Sequence, residues 1–221
     1  MRAKHVFVAG ASGGGKTTFA RETHAKHDGI SVWVNFNDES GLDGRSMANA
    51  VTCRSRAGLD DAVRSCSSPA QVRNLRVNFV TDDPVEAAET VREFAVSVAD
   101  HFDAEVCVQV ILDECQHVLP DESSSSVQQG NPVAWMLHEG RSYNIKAVLM
   151  TQDPVEVYYP PIKNCKHLVW VGETKTFHRG FTNYWNLNDL DLPTEDFEFV
   201  VIKPTDPPQV VHRGETKEAF A

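Results

Sequence analysis

Nowhere does the chain approach the roughly 18 consecutive apolar residues of a membrane-spanning helix, so its sequence offers no such span. C-x-x-C and H-E-x-x-H spacings are also missing, which excludes the common zinc ribbon and zincin sites. The five cysteines, Cys53, Cys66, Cys107, Cys115 and Cys165, are odd in number. They predict free buried thiols in a reducing compartment rather than a disulfide framework. Positive charge is short: 21 basic residues face 31 acidic ones, a net charge of -10. A protein that coats nucleic acid by general basicity is therefore excluded, and any such contact must use a local group of cations. No internal repeat is visible, and the opening MRAKHVFVAG enters a strand at once. That leaves no room for a signal peptide, so a cytoplasmic protein is expected.

What is present suits one α/β domain over residues 1–221, with 41% hydrophobic residues and a mean hydropathy of -0.34. Short apolar runs at 5–10, 30–36, 75–80, 106–112, 145–150, 168–171 and 197–202 predict strands. Between them lie helical stretches to about His27, from 59 to 66, from Pro84, and from Pro132 to about Gly140. Asp83 and Asn131 each precede a proline and can cap the helix that follows, with Glu86 completing a capping-box spacing. Val85, Ala88, Val91, Phe94, Ala95 and Val98 predict one buried helical face. Residues 37–58 read as polar loop, 121–130 as a low-complexity polar stretch, and 203–221 as a C-terminal surface segment. Strand alternating with helix implies a mostly parallel central sheet flanked by helices.

The first strand ends in Gly10-Ala11-Ser12-Gly13-Gly14-Gly15-Lys16-Thr17, which fits G-x-x-x-x-G-K-[ST] between an apolar strand and a helix. Glycines let successive backbone N–H groups point inward as a nest for phosphate oxygens, and the helix start adds partial positive charge. Gly10, Ser12, Gly13, Gly14, Gly15, Lys16, Thr17 and Thr18 are thus the predicted ATP cradle. Lys16 is placed to reach the β- and γ-phosphates, and the Thr17 hydroxyl to ligate Mg²⁺.

A near-continuous apolar run, VQVIL, leads into Asp113-Glu114. Runs of that kind suit central parallel strands. Asp113 would hold Mg²⁺ and Glu114 would polarise the attacking water. Another strand ends in Thr151-Gln152. Ligands of open α/β sheets bind at the carboxyl ends of strands, so Gln152 can reach the γ-phosphate if its strand adjoins the one ending at Asp113. Arg141 precedes that strand and is a candidate arginine finger acting on a neighbouring subunit, with Arg179 as its rival. Lys16, Glu114, Gln152 and Arg141 are therefore the predicted catalytic set.

GASGGGKTT, VILDECQHVLPDE and RSYNIKAVLMTQDP, in that order, resemble the HerA/FtsK superfamily of P-loop ATPases. The resemblance covers 6–18 and 106–154 and implies a RecA-like (ASCE) P-loop NTPase. It further implies a DNA-translocating ring, with six subunits one possible size. The chain looks most like the genome-packaging ATPases of membrane-containing archaeal icosahedral viruses. The partners so implied are double-stranded DNA, further copies of the chain and procapsid or membrane-vertex proteins, in the host cytoplasm or on the virion. DNA contact is expected through Arg54, Arg56 and residues 123–130. Alternatives are a P-loop small-molecule kinase and another HerA/FtsK-type plasmid or cellular DNA-transfer ATPase.

Overall fold

β1 (Val6–Gly10), β2 (Ile30–Asn35), β5 (Val108–Leu112) and β6 (Ile145–Thr151) are nearly all buried. Such strands lie in the middle of a parallel sheet with both faces covered. The computed structural model describes residues 4–36, 50–121, 130–173, 182–183, 185–187, 190–205 and 207–216. Its sheet has nine strands in the order β3-β4-β2-β5-β6-β1-β7-β8-β9. β3 (Val51–Cys53), β4 (Arg76–Val80) and β7 (His167–Val171) complete the parallel part. β8 (Glu198–Lys203) and β9 (Gln209–Glu215) close one edge antiparallel. This is the predicted α/β, RecA-like P-loop class, a mostly parallel sheet flanked by helices.

Alternation along each strand sends side chains to two cores. Val8, Trp33, Ile111, Val148 and Val169 pack with Ala20 of α1 (Lys16–Ala25) on one face. Phe7, Val34, Val110, Leu112 and Leu149 pack on the other face with α2 (Arg56–Arg64), α4 (Pro84–His101) and α5 (Pro132–Glu139). A five-residue α3 (Pro69–Arg73) leads into β4.

The predicted caps form: Asp83 accepts from the Val85 and Glu86 N–H groups, and Asn131 from Val133 and Ala134. The reciprocal bond that a capping box asks of Glu86 is made instead by Thr81, whose hydroxyl accepts the Asp83 N–H at 3.2 Å. Val85, in the first turn of α4, is 51% exposed and leaves the predicted stripe. Ala87 and Ala99 join the stripe instead. Part of the predicted loop 37–58 is strand β3, and α2 begins at Arg56 rather than Leu59. All five cysteines are free.

Candidate active site

β6 runs between β1 and β5, pairing with both in register. The P-loop after β1, the acidic pair after β5 and Thr151 at the end of β6 therefore meet at one edge of the sheet, the carboxyl ends of three adjacent strands. This is where ligands of open α/β sheets bind.

The loop's geometry explains its glycines. Gly15 has φ 106° as it enters α1, a conformation that glycine adopts without strain. A Cβ there would meet Thr216 Oγ1 at 2.9 Å and Phe197 Cα at 3.2 Å. The close approach has a cause in the chain's last strands: the Phe197 N–H donates to the Gly14 carbonyl at 2.9 Å, and the Thr216 N–H to the Phe197 carbonyl at 2.9 Å. Gly10 serves packing, since a Cβ would lie 2.2 Å from the Val171 carbonyl of β7.

Lys16 is buried and its ammonium donates to the carbonyls of Gly10 and Ala11 at 2.8 and 2.9 Å. Burial lowers its pKa, while Glu114 and Asp113 oppose the shift. Asp113 is pushed up by burial and then by Glu114, against the pull of Lys16 and the Glu114 N–H. Two carboxylates thus share one lysine in a poorly solvated corner. A divalent cation fits that excess of negative charge. Among the described residues no cluster of three or more His, Cys, Asp or Glu could hold a metal. Mg²⁺ beside a nucleotide needs none, since phosphates and water complete its shell.

Glu114 takes a left-handed backbone, φ 50° and ψ 53°, a strained position of a kind that collects at functional sites. Its N–H donates to Asp113 Oδ1 at 3.0 Å. Gln116, in the 3-10 turn Cys115–His117, donates from Nε2 to Glu114 Oε2 at 2.6 Å. The Thr151 hydroxyl donates to Gln116 Oε1 at 2.9 Å. Sequence reasoning missed Gln116 and Thr151. Gln116 stands two residues from Glu114, a visible hint, but nothing local announces a partner 35 residues away.

Gln152 is exposed beside this network. Arg141 stands elsewhere, in the 3-10 turn Gly140–Tyr143 before β6. β6 has seven residues, which at ~3.3 Å each puts Arg141 about 20 Å from the P-loop end. It hydrogen-bonds the Asn164 carbonyl, and its Nε is buried without a partner. With Lys4, Lys166, His167 and Lys203 it lines a cavity of about 440 Å³ that no carboxylate lines among the described residues.

Of the predicted DNA-contacting residues, Arg56 is bonded to Asp60 at 3.1 Å and lies over the Phe94 ring. Arg54 shares a cleft with Asp82, Asp83 and Glu86. Residues 123–129 and Arg179 lie outside the described residues. No described helix is long and apolar enough to cross a membrane.

With the geometry in hand, comparison with known proteins places the chain. The family model for zonular occludens toxin (Zot) matches residues 5–168. No curated protein matches by sequence. Among solved structures, the chain is similar to the genome packaging NTPase B204 of Sulfolobus turreted icosahedral virus 2, in complex with sulfate. The TM-score is 0.66 at 12% identity, with 97% of each chain covered. It is also similar to B204, the DNA-packaging ATPase of Sulfolobus turreted icosahedral virus. There the TM-score is 0.63 at 14% identity, covering 95% of this chain and 98% of that one. A third likeness is to EssC (ATPases 2 and 3) of Geobacillus thermodenitrificans, with a TM-score of 0.56 at 12% identity. It covers 99% of this chain and 40% of that one. The fold of this chain is thus the one found in viral packaging NTPases and in EssC, as the three motifs lead one to expect.

Proposed function

The chain belongs to the zonular occludens toxin (Zot) family, and on that footing we propose that it is a Mg²⁺-dependent ATPase that moves double-stranded DNA, packaging a viral genome into a procapsid. The observation that carries the proposal is the meeting of the P-loop with its Lys16, the Asp113-Glu114 pair and Gln152 at the carboxyl ends of three adjacent strands, β1, β5 and β6. An ATPase needs those three groups within reach of one γ-phosphate. The nest of loop N–H groups around Gly13 to Lys16 takes the phosphates. Lys16 exchanges its two loop carbonyls for β- and γ-oxygens. Asp113 and Thr17 would hold Mg²⁺, which neutralises charge on the phosphates when bound. Glu114 accepts a proton from the attacking water as the water oxygen bonds the γ-phosphorus, the bond from that phosphorus to the β–γ bridging oxygen breaks, and ADP and inorganic phosphate leave. Gln152, exposed at the strand end, is free to meet the γ-phosphate or that water.

The B204 proteins are a genome packaging NTPase and a DNA-packaging ATPase, which supports the same task here. Assembly into a ring, with Arg141 reaching the nucleotide of an adjoining copy, belongs to the proposal. So does electrostatic, sequence-independent contact with DNA. The Arg54–Arg64 segment does not favour the kinase alternative, because Arg56 and Arg64 are paired with Asp60 and Asp61 instead of standing ready as a lid.

The test is ATP turnover with and without double-stranded DNA, alongside molar mass by light scattering. Turnover stimulated by DNA in an oligomer is the expected result. Phosphate transferred to a small acceptor, or no turnover at all, would overturn the reading.

A further inference from the structure

We infer that Gln116 is a positioning residue that orients the Glu114 carboxylate and ties it, through Thr151, to the end of β6. The inference rests on the reading of Glu114 as the group that accepts the proton from water.

Chemistry fixes the direction of the chain. An ionised carboxylate only accepts, so the Gln116 amide must turn its nitrogen toward Glu114 Oε2, at 2.6 Å. Its oxygen then faces Thr151, whose hydroxyl must donate, at 2.9 Å. The same hydroxyl accepts the Asp153 N–H at 3.0 Å. Turning the amide over would set its oxygen against the Glu114 carboxylate and lose that bond. Thr151 is fully buried and Gln116 is 9% exposed, so water does not readily replace either partner.

The connection has a consequence for turnover. Glu114 sits in a left-handed turn with one neighbour, Asp113, capping its N–H. Its carboxylate is hydrogen-bonded by Gln116. With Oε2 held, Oε1 is left to face the attacking water in one orientation. Free rotation would spread that orientation over several rotamers, and misplacement of about 1 Å can cost ~10²-fold in rate. Gln152 follows Thr151 directly, and Asp153 closes the turn onto the Thr151 hydroxyl. A shift of this turn when Gln152 meets a γ-phosphate reaches Glu114 through two hydrogen bonds. Gln116 thus couples nucleotide sensing to water activation.

The test is steady-state ATP hydrolysis by the full chain with four single variants. Gln116→Ala should lower kcat by ~10- to 100-fold while the KM for ATP stays within about twofold, since the phosphate cradle is untouched. Thr151→Val, of nearly the same shape without the hydroxyl, should lower kcat in the same direction, and Thr151→Ser should restore it. Thermal melting of each variant excludes global unfolding as the cause. Three results overturn the inference. One is an unchanged kcat in Gln116→Ala beside an inactive Glu114→Gln, which leaves Glu114 as the base but removes Gln116 from it. Another is equal activity of Thr151→Val and Thr151→Ser. The third is a Glu114→Gln variant as active as wild type, which removes the base assignment as well.

Discussion

Lys16 and Glu114 can be separated by what each variant leaves behind. Lys16→Ala removes the ammonium that now bonds the Gly10 and Ala11 carbonyls and that would meet the γ-phosphate. Nucleotide binding or turnover should be abolished. Glu114→Gln keeps the shape and leaves Asp113 and Thr17 for Mg²⁺, so the variant should bind ATP and fail to hydrolyse it, a loss of about 10²-fold or more. Fluorescent-nucleotide binding beside a phosphate-release assay checks both. Wild-type hydrolysis by Glu114→Gln would place the base elsewhere. These residues were legible because local chemistry forces them: phosphate nests need glycines in sequence, and an acidic pair ending an apolar strand stands out. Gln116 and Thr151 were not legible, since their value comes from a bond across two strands. Arg56 was misleading in the opposite way. Its charge was plain in the sequence, but its pairing with Asp60 and Phe94 was not.

Elements were legible in proportion to their burial. β1, β2, β5 and β6 are mostly apolar runs because helices cover both sheet faces. β3 has three residues with two exposed, α3 only five, and β9 is mostly exposed, with two half-buried residues. None leaves a hydrophobic signal. Buried histidines join the central elements, and they make a pH prediction. His5 precedes β1 and accepts the Ala147 N–H of β6 on Nδ1 at 3.0 Å. Burial, then the charge of Arg141, lowers its pKa to about 4. His24 of α1 meets Ser31 of β2 at 2.8 Å, and Gln109 of β5 donates to the same hydroxyl at 2.9 Å. A neutral His24 ring fits this arrangement, with the Ser31 hydroxyl donating to Nδ1 while it accepts from Gln109. Burial, then Arg76 and His27, lowers the ring's pKa to about 3. Both folded values lie below the unfolded 6.5, so the unfolded chain binds more protons between them. Their contribution is therefore complete above pH 6.5 and is lost as pH falls toward 4. A loss of about 2 kcal/mol per histidine by pH 5 follows from linkage. Denaturant midpoints at pH 7.5 and 5 should show it, before most carboxylates titrate. Equal midpoints would mean that the rings are not held neutral.

At the scale of the whole molecule, the sheet has two chemically different ends. The carboxyl ends of β1, β5 and β6 carry the P-loop, Asp113 and Glu114, while the opposite end carries Lys4, Arg141, Lys166, His167 and Lys203 around one cavity. Positions so scattered in sequence meet because β1, β6 and β7 start there and antiparallel β8 ends there. The charges press on one another: His167 is lowered by burial, then by Lys4, Lys203 and Lys146. In a chain of net charge -10, this is a local group of cations with no carboxylate lining the cavity among the described residues. Arg141 cannot serve its own nucleotide from about 20 Å away, so it acts across a subunit boundary or takes no part in hydrolysis. An arginine finger is typically worth ~10³ or more in rate, so Arg141→Ala should bind ATP and be nearly inactive. Mixing decides between the two possibilities. Arg141→Ala subunits retain the P-loop and Glu114, and Glu114→Gln subunits retain Arg141. Neither makes a working boundary alone, but a mixed oligomer contains some boundaries with every group present. Hydrolysis should therefore reappear on mixing. A mixture as inactive as its parts, with co-assembly verified by light scattering, would take Arg141 out of the reaction and turn attention to Arg179.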